Sequence, residues 1–198
     1  MDLRQLPFLP PQLNDYSDSC WAEGYFTLEE VKILNEMYDR SQNKKQAEVS
    51  GEGYVKEDLR KSTVGFLEPT DPESRPFIDK LAHLAIQTNA QRYRFDLMGF
   101  YEPIQIAEYG KGDFFDWHTD FSIGPASTRK LSLSVQLSDG SDYEGGDLQF
   151  MINTETQNAP RTPGTVVIFP SFIMHRVTPI TSGKRRSMVG WVTGVPYR

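Results

Sequence analysis

Residues 131–138 read Leu-Ser-Leu-Ser-Val-Gln-Leu-Ser, and this strict alternation constrains the chain more than any other stretch. Successive side chains of a strand point to opposite faces. Leu131, Leu133, Val135 and Leu137 therefore share one face, and Ser132, Ser134, Gln136 and Ser138 share the other. The second face is polar yet reads as enclosed, which a barrel with a lined cavity explains. The surroundings agree. After about residue 100 the segments are short, β-rich and separated by turn signals. Residues 103–109, 148–152, 165–169 and 188–193 read as strands, and Asp139–Gly140 and Gly145–Gly146 mark turns.

The first half has a different texture. Residues 1–26, with several prolines and aromatics, read as an extended arm containing at most a short strand. Thr27 and Glu30 have capping-box spacing, and Val31, Leu34, Met37 and Tyr38 fall on one face of the helix that follows. That helix fades into a polar stretch expected to be an exposed loop, within residues 41–58. Residues 60–67 read as one strand. A second helix is expected from Arg75–Pro76, with Phe77, Ile78, Leu81, Leu84 and Ala85 as its buried stripe. Helices gathered before many short strands predict a mainly β fold: helices packed on a two-sheet sandwich or jelly roll. The expected organisation is one domain over 1–198: arm 1–26, helical support 27–100 and β core 101–198.

Composition narrows the functional classes. Of 198 residues, 38% are hydrophobic and 24% charged, which argues against a disordered chain or a membrane protein. The start lacks a basic region followed by an apolar run, so a cytoplasmic address is the default expectation. Cys20 is the single cysteine, so neither an internal disulfide nor a thiolate zinc site can be built. A net charge of −6 disfavours a non-specific nucleic-acid binder.

The three histidines are His83, His118 and His175. His118-x-Asp120 has the i, i+2 spacing that puts two ligands on one side of a strand, and His175 is expected to enter from another strand. Two imidazoles and a carboxylate suit one face of an octahedral Fe(II), leaving three open positions. The bland alternative is a surface His-Asp pair. His83, within Leu-Ala-His-Leu-Ala on a helix, reads as a packed or half-exposed histidine. Ten residues past His175 lies Arg185, beyond Pro179 and Ser182–Gly183, a turn expected to set two strands side by side. Arg185 could then reach the cavity that His175 enters and offer a carboxylate its planar fork. The bland alternative is a solvated run, Lys184-Arg185-Arg186.

Taken together, these residues resemble the prolyl 4-hydroxylase-like branch of the iron(II)/2-oxoglutarate oxygenases, and most closely its PKHD-type hydroxylases. The resemblance starts with Tyr109-x-x-Gly112-x-x-Phe115-x-x-His118-x-Asp120. It continues through Arg129, then Gln136-Leu137-Ser138, where the family usually has Tyr-Leu-Asn, and Gly145-Gly146-Asp147-Leu148-Gln149-Phe150. Pro163 to Phe169 resembles a further family strand, slightly shortened, and His175, Val177, Pro179, Gly183, Arg185 and Trp191 fit the closing motif. The resemblance implies a double-stranded β-helix with N-terminal helices supporting its major sheet. It implies His118, Asp120 and His175 as iron ligands, and Arg185 as partner of the distal carboxylate of 2-oxoglutarate. Tyr109 is implied as a hydrogen-bond donor to that co-substrate; Gln136 stands in the position of a tyrosine with a similar role. Cofactors would be Fe(II), 2-oxoglutarate and O2, with ascorbate as a reductant.

Substrate expectations rest on that likeness. A protein or peptide side chain such as proline leads; a small metabolite or a nucleic-acid base is the alternative. The arm and the loop at 41–58 are candidates for closing over a partner. A non-catalytic jelly-roll module that binds metal, or none, and a zinc hydrolase are the competing classes. The oligomeric state is not legible.

Overall fold

The computed structural model describes residues 19–47 and 58–196. In chain order the elements are β1 (Cys20–Ala22), α1 (Leu28–Arg40), β2 (Lys45–Gln46), β3 (Arg60–Lys61), β4 (Thr63–Leu67), α2 (Arg75–Thr88), β5 (Leu97–Phe100), β6 (Ile104–Tyr109), β7 (Phe114–His118), β8 (Arg129–Gln136), β9 (Tyr143–Gly145), β10 (Leu148–Ile152), β11 (Glu155–Asn158), β12 (Val166–Pro170), β13 (His175–Val177), β14 (Ile180–Gly183) and β15 (Arg185–Gly194). The strands form an eight-stranded major sheet in the order β1-β12-β8-β15-β6-β4-β2, with β5 also on β15, and a five-stranded minor sheet in the order β11-β10-β13-β7-β3. A third ladder joins β14 to β9. Two antiparallel sheets facing each other, with both helices packed on one of them, are the expected jelly roll.

The capping box that opens α1 is present in full: Glu30 N–H donates to Thr27 Oγ1, and Thr27 N–H donates to the Glu30 carboxylate at 2.7 Å. The helix buries Val31, Leu34 and Tyr38, with Met37 half-buried. Proline in the first turn of α2 leaves an amide position that needs no partner, and the helix buries Phe77, Ile78, Leu81, Leu84 and Ala85.

The period of two divides the major sheet cleanly. Leu131, Leu133, Val135, Ile104, Ile106, Val166, Ile168, Met188 and Val192 pack with the helices in one core. The alternate positions Ala107, Tyr109, Val167 and Phe169 face the minor sheet and join Leu148, Phe150 and Val177 in a second core. Ser132, Ser134 and Gln136 are buried, so the polar face of β8 is enclosed as its alternation required.

Three expectations need correction. Residues 60–67 are two strands, β3 in the minor sheet and β4 in the major one; the chain crosses between sheets at Ser62. The segment after α1 is not loop throughout, because β2 pairs with β4; residues 48–57 lie outside the described residues. The turn after His175 does not set two strands side by side: β13 and β15 lie in opposite sheets, linked by β14 on β9. Most of the arm, residues 1–18, lies outside the described residues, and its end adds β1 to the edge of the major sheet against β12.

Candidate metal centre and cavity

His118 is the last residue of β7, and His175 opens β13 directly opposite it in the ladder, so their rings meet with centroids 4.2 Å apart. Asp120 lies past the strand end, on a bend, where the amides of Asp120 and Phe121 both donate to Ser171 O at 2.9 Å. The i, i+2 expectation thus reaches the right place by a different route: the bend, not a continuing strand, returns the carboxylate. Asp120 Oδ1 lies 3.7 Å from His118 Nε2, and Oδ2 lies 3.5 Å from His175 Nε2. One ligand atom from each of the three residues falls within 4.8 Å of the other two.

Both imidazoles are held by their other nitrogen. His118 Nδ1 is 2.7 Å from Asp116 O and His175 Nδ1 is 2.9 Å from Ile173 O. Since carbonyl oxygens only accept, each Nδ1 carries the hydrogen and each Nε2 presents a lone pair to the common point, the usual arrangement of metal-binding histidines. Phe115 stacks on His118 at 3.4 Å between centroids, and Phe169 packs edge-on against His175. Ser132 donates to Asp120 Oδ2 at 2.6 Å, with Ser171 Oγ 3.0 Å behind it. The serine face of β8 thus orients the carboxylate.

Burial, then the neighbouring His175, pushes the His118 imidazole down to about 3. Burial opposes ionisation of Asp120, but the two histidines when protonated, the Arg129 guanidinium and the Ser132 hydroxyl outweigh it and hold the carboxyl below its ordinary value. With His118 neutral, Arg129 and Ser132 keep the carboxylate charged. The sign follows. Both native values lie below the unfolded values of 6.5 and 3.8. The unfolded chain therefore takes up protons first on acidification. Stability is full above about pH 6.5 and falls as the pH drops toward 3. The metal-free protein is expected to melt several degrees lower at about pH 5 than at about pH 7.5, measured by calorimetry; equal melting points would contradict the burial of His118.

The three side chains form one wall of a pocket between the sheets, whose lining also includes Tyr109, Arg185, Ser187 and Trp191. Alternation along β15 puts Arg185, Ser187 and Trp191 on the same inward face. Arg185 is only 3% exposed. Its Nη1 is 3.3 Å from Ser187 Oγ and its guanidinium lies 5.8 Å from the Tyr109 ring. It has no carboxylate partner among the described residues. A buried guanidinium without a counter-charge is costly, and it fits a site built to receive an anion. The Tyr109 hydroxyl has no hydrogen-bond partner among the described residues either. Gln136 is buried, but its Nε2 already donates to Ser138 O at 3.0 Å and to Tyr143 Oη at 2.8 Å. Two imidazole nitrogens with a carboxylate are a donor set that iron(II) accepts, and Arg185 in the same cavity fits an acidic co-substrate.

A second cavity adjoins the first, sharing Arg60, Phe115, His118, Asp120 and Trp191 and adding Phe121, Ser122 and Arg129. Arg129 pairs with Glu102 and lies 4.0 Å over the Trp191 ring. Arg60 was not singled out from the sequence. It is buried, bonds Ser62 Oγ at 3.0 Å and Gln105 Oε1 at 3.3 Å, and lies 4.7 Å over Phe115. The one available signal was a basic residue opening a strand whose apolar neighbours face inward. His83 is exposed on α2, away from this site. His83→Ala is expected to leave iron content and turnover within about twofold of the parent, measured by metal analysis and initial rates.

The comparisons with known proteins meet the geometry here. The family model described as 2OG-Fe(II) oxygenase superfamily matches residues 104–193, the span holding all three clustered side chains and Arg185. A PKHD-type hydroxylase of Synechococcus sp. (strain CC9902) is 32% identical over 126 residues, covering 64% of this chain and 56% of the relative. The chain spans about half the length of the curated relatives it matches. Among solved structures, a Pseudomonas putida prolyl-4-hydroxylase superposes with a TM-score of 0.73 at 20% identity, over 89% of this chain and 92% of that one. A prolyl hydroxylase from Trichoplax adhaerens, solved with a hypoxia inducible factor peptide fragment, gives 0.72 at 14% identity, over 89% and 83%. The family-model match takes in a little under half of the chain, and the superfamily it describes is named for 2-oxoglutarate and iron(II). The curated relatives it matches are named PKHD-type hydroxylases, and the solved structures of similar fold include prolyl hydroxylases.

Proposed function

We propose that this chain is a hydroxylase in which His118, Asp120 and His175 hold iron(II), Arg185 pairs with the distal carboxylate of 2-oxoglutarate, and a protein or peptide side chain, proline foremost, is the substrate. One oxygenase domain does this, with 101–198 as its catalytic core and 27–100 as its support. The observation that carries the reading is the convergence of three free donor atoms on a cavity that also holds an unpaired, buried guanidinium. When bound, iron(II) and 2-oxoglutarate couple the splitting of O2 to release of succinate and CO2 and hydroxylation of a C–H bond.

The chain's own residues supply position. Ser132 and the Asp116 and Ile173 carbonyls fix the ligand orientations, so little is reorganised when metal enters. Arg185 sets the depth at which a five-carbon diacid seats, and the Tyr109 hydroxyl, lacking a protein partner, serves as donor to it. Phe115, Phe169 and Trp191 keep the walls apolar and limit water around the reacting centre. The second cavity, which borders His118 and Asp120 but not Arg185, is the route for substrate; its lining of Trp191, Phe121, Arg60 and Arg129 suits an extended peptide carrying carbonyls and a compact ring. The similar protein crystallised with a peptide supports the same choice.

The test is succinate release in the presence of Fe(II) and 2-oxoglutarate, stimulated by proline-containing peptides, free amino acids, nucleosides or oligonucleotides. Peptide-stimulated succinate with a peptide mass gain of one oxygen is expected. Stimulation by nucleosides or free amino acids alone overturns the substrate class, and no succinate from metal-loaded protein under any substrate favours a binding module.

A further inference from the structure

A small pocket borders Arg185, lined by Ser134, Gln136, Tyr143 and Arg161 among others, and Arg185 lines it as well as the cavity of the three clustered residues. Tyr143, on β9, is buried. Its hydroxyl accepts the Gln136 amide at 2.8 Å, and the hydroxyl's own hydrogen has no acceptor among the described residues. Tyr143 and Arg185 both line this pocket and flank Gly146: a Cβ built there would stand 3.2 Å from Tyr143 Cε2 and 3.3 Å from Arg185 Cδ, and the Arg161 guanidinium lies 4.1 Å over the Tyr143 ring. The positive φ of 65° at Gly146 and the Ile180 Cδ1 atom 2.2 Å from that built Cβ leave room there for glycine alone. Glycine at this turn thus keeps clear the space between the Tyr143 ring and the Arg185 stem.

We infer that Tyr143 is a positioning residue for the co-substrate, donating its hydroxyl hydrogen to the distal carboxylate that Arg185 binds. This rests on the proposed 2-oxoglutarate site. Gln136 acts one step back. With both amide hydrogens committed, it gives one to Tyr143 Oη, which fixes the phenol and leaves its O–H to point elsewhere. Polarised in series, amide to phenol to carboxylate, the chain of donors strengthens the last bond. The carboxylate then receives a fork from one strand and a hydroxyl from another, which fixes its rotation as well as its position.

The test is anaerobic calorimetric titration of Fe(II)-loaded protein with 2-oxoglutarate and, separately, with 2-oxobutyrate, which has the same chelating end and no distal carboxylate. Tyr143→Phe is expected to weaken 2-oxoglutarate binding by about 10-fold, the scale of one hydrogen bond to a charged group, and to leave 2-oxobutyrate binding unchanged. Gln136→Leu should show a smaller loss with the same selectivity. Unchanged 2-oxoglutarate affinity in Tyr143→Phe, or equal loss for both acids, overturns the inference while leaving the iron site and Arg185 standing. Failure of the parent protein to bind 2-oxoglutarate overturns both.

Discussion

Asp120→Ala is expected to abolish stoichiometric iron binding and to reduce succinate formation by more than about 1000-fold. Among the described residues the carboxylate is the sole anion facing the two imidazole Nε2 atoms. Without it a divalent ion meets two neutral donors and no compensating charge. Changes to groups that only orient ligands typically cost 10–100-fold in metal affinity, and loss of a direct ligand exceeds that. The fold should survive, because Asp120 sits on a bend whose amides bond Ser171 O irrespective of the side chain. Circular dichroism and iron content after reconstitution check the two halves of the statement. A folded variant that still binds one iron per chain with parental affinity would remove Asp120 from the site.

Arg185→Ala is expected to raise the 2-oxoglutarate concentration for half-saturation by about 100-fold or more while leaving iron affinity in place. A charge-assisted hydrogen bond contributes about 1.5–3 kcal/mol, and a guanidinium can make two to one carboxylate. Arg185 has no internal acid to compete for it among the described residues, so its full capacity is available to a ligand. Removing it takes away a buried charge as well. The apo protein should therefore be no less stable than the parent, even as co-substrate binding falls. Arg185→Lys should recover part of the affinity, as a point charge without the planar fork. Parental half-saturation in Arg185→Ala would place the distal carboxylate elsewhere.

The two sheets were legible because strand alternation is local, and His118 and Asp120 were paired by their spacing; His175 and Arg185 lie far along the chain and were legible through the resemblance. The serines of β8 could be called enclosed because their neighbours Leu131, Leu133 and Val135 required burial on the other side, and the buried serine proved to orient Asp120. The capping box at Thr27 and the stripe of α2 are likewise decided within one or two helical turns. What stayed hidden depends on long-range pairing. Nothing around Ser62 announces that the chain leaves one sheet for the other, so Arg60 was not seen to enter the site. The strands β13 and β15 were expected as neighbours because a turn signal separates them, yet β14 takes up that turn and carries the chain across. Tyr143 went unnoticed for the same reason: its tie is to Gln136 on another strand. Gln136 stood where the family carries a tyrosine, and position in a motif says nothing of its amide's bonds to Ser138 O and Tyr143 Oη.

The most direct measurement is an anaerobic titration of the metal-free protein with Fe(II) and 2-oxoglutarate, followed in the visible range. A weak metal-to-ligand charge-transfer band is expected to grow to one equivalent only when both are present, and to be missing from Asp120→Ala. No band, or a band of the same strength in Asp120→Ala, would contradict a site built from His118, Asp120 and His175.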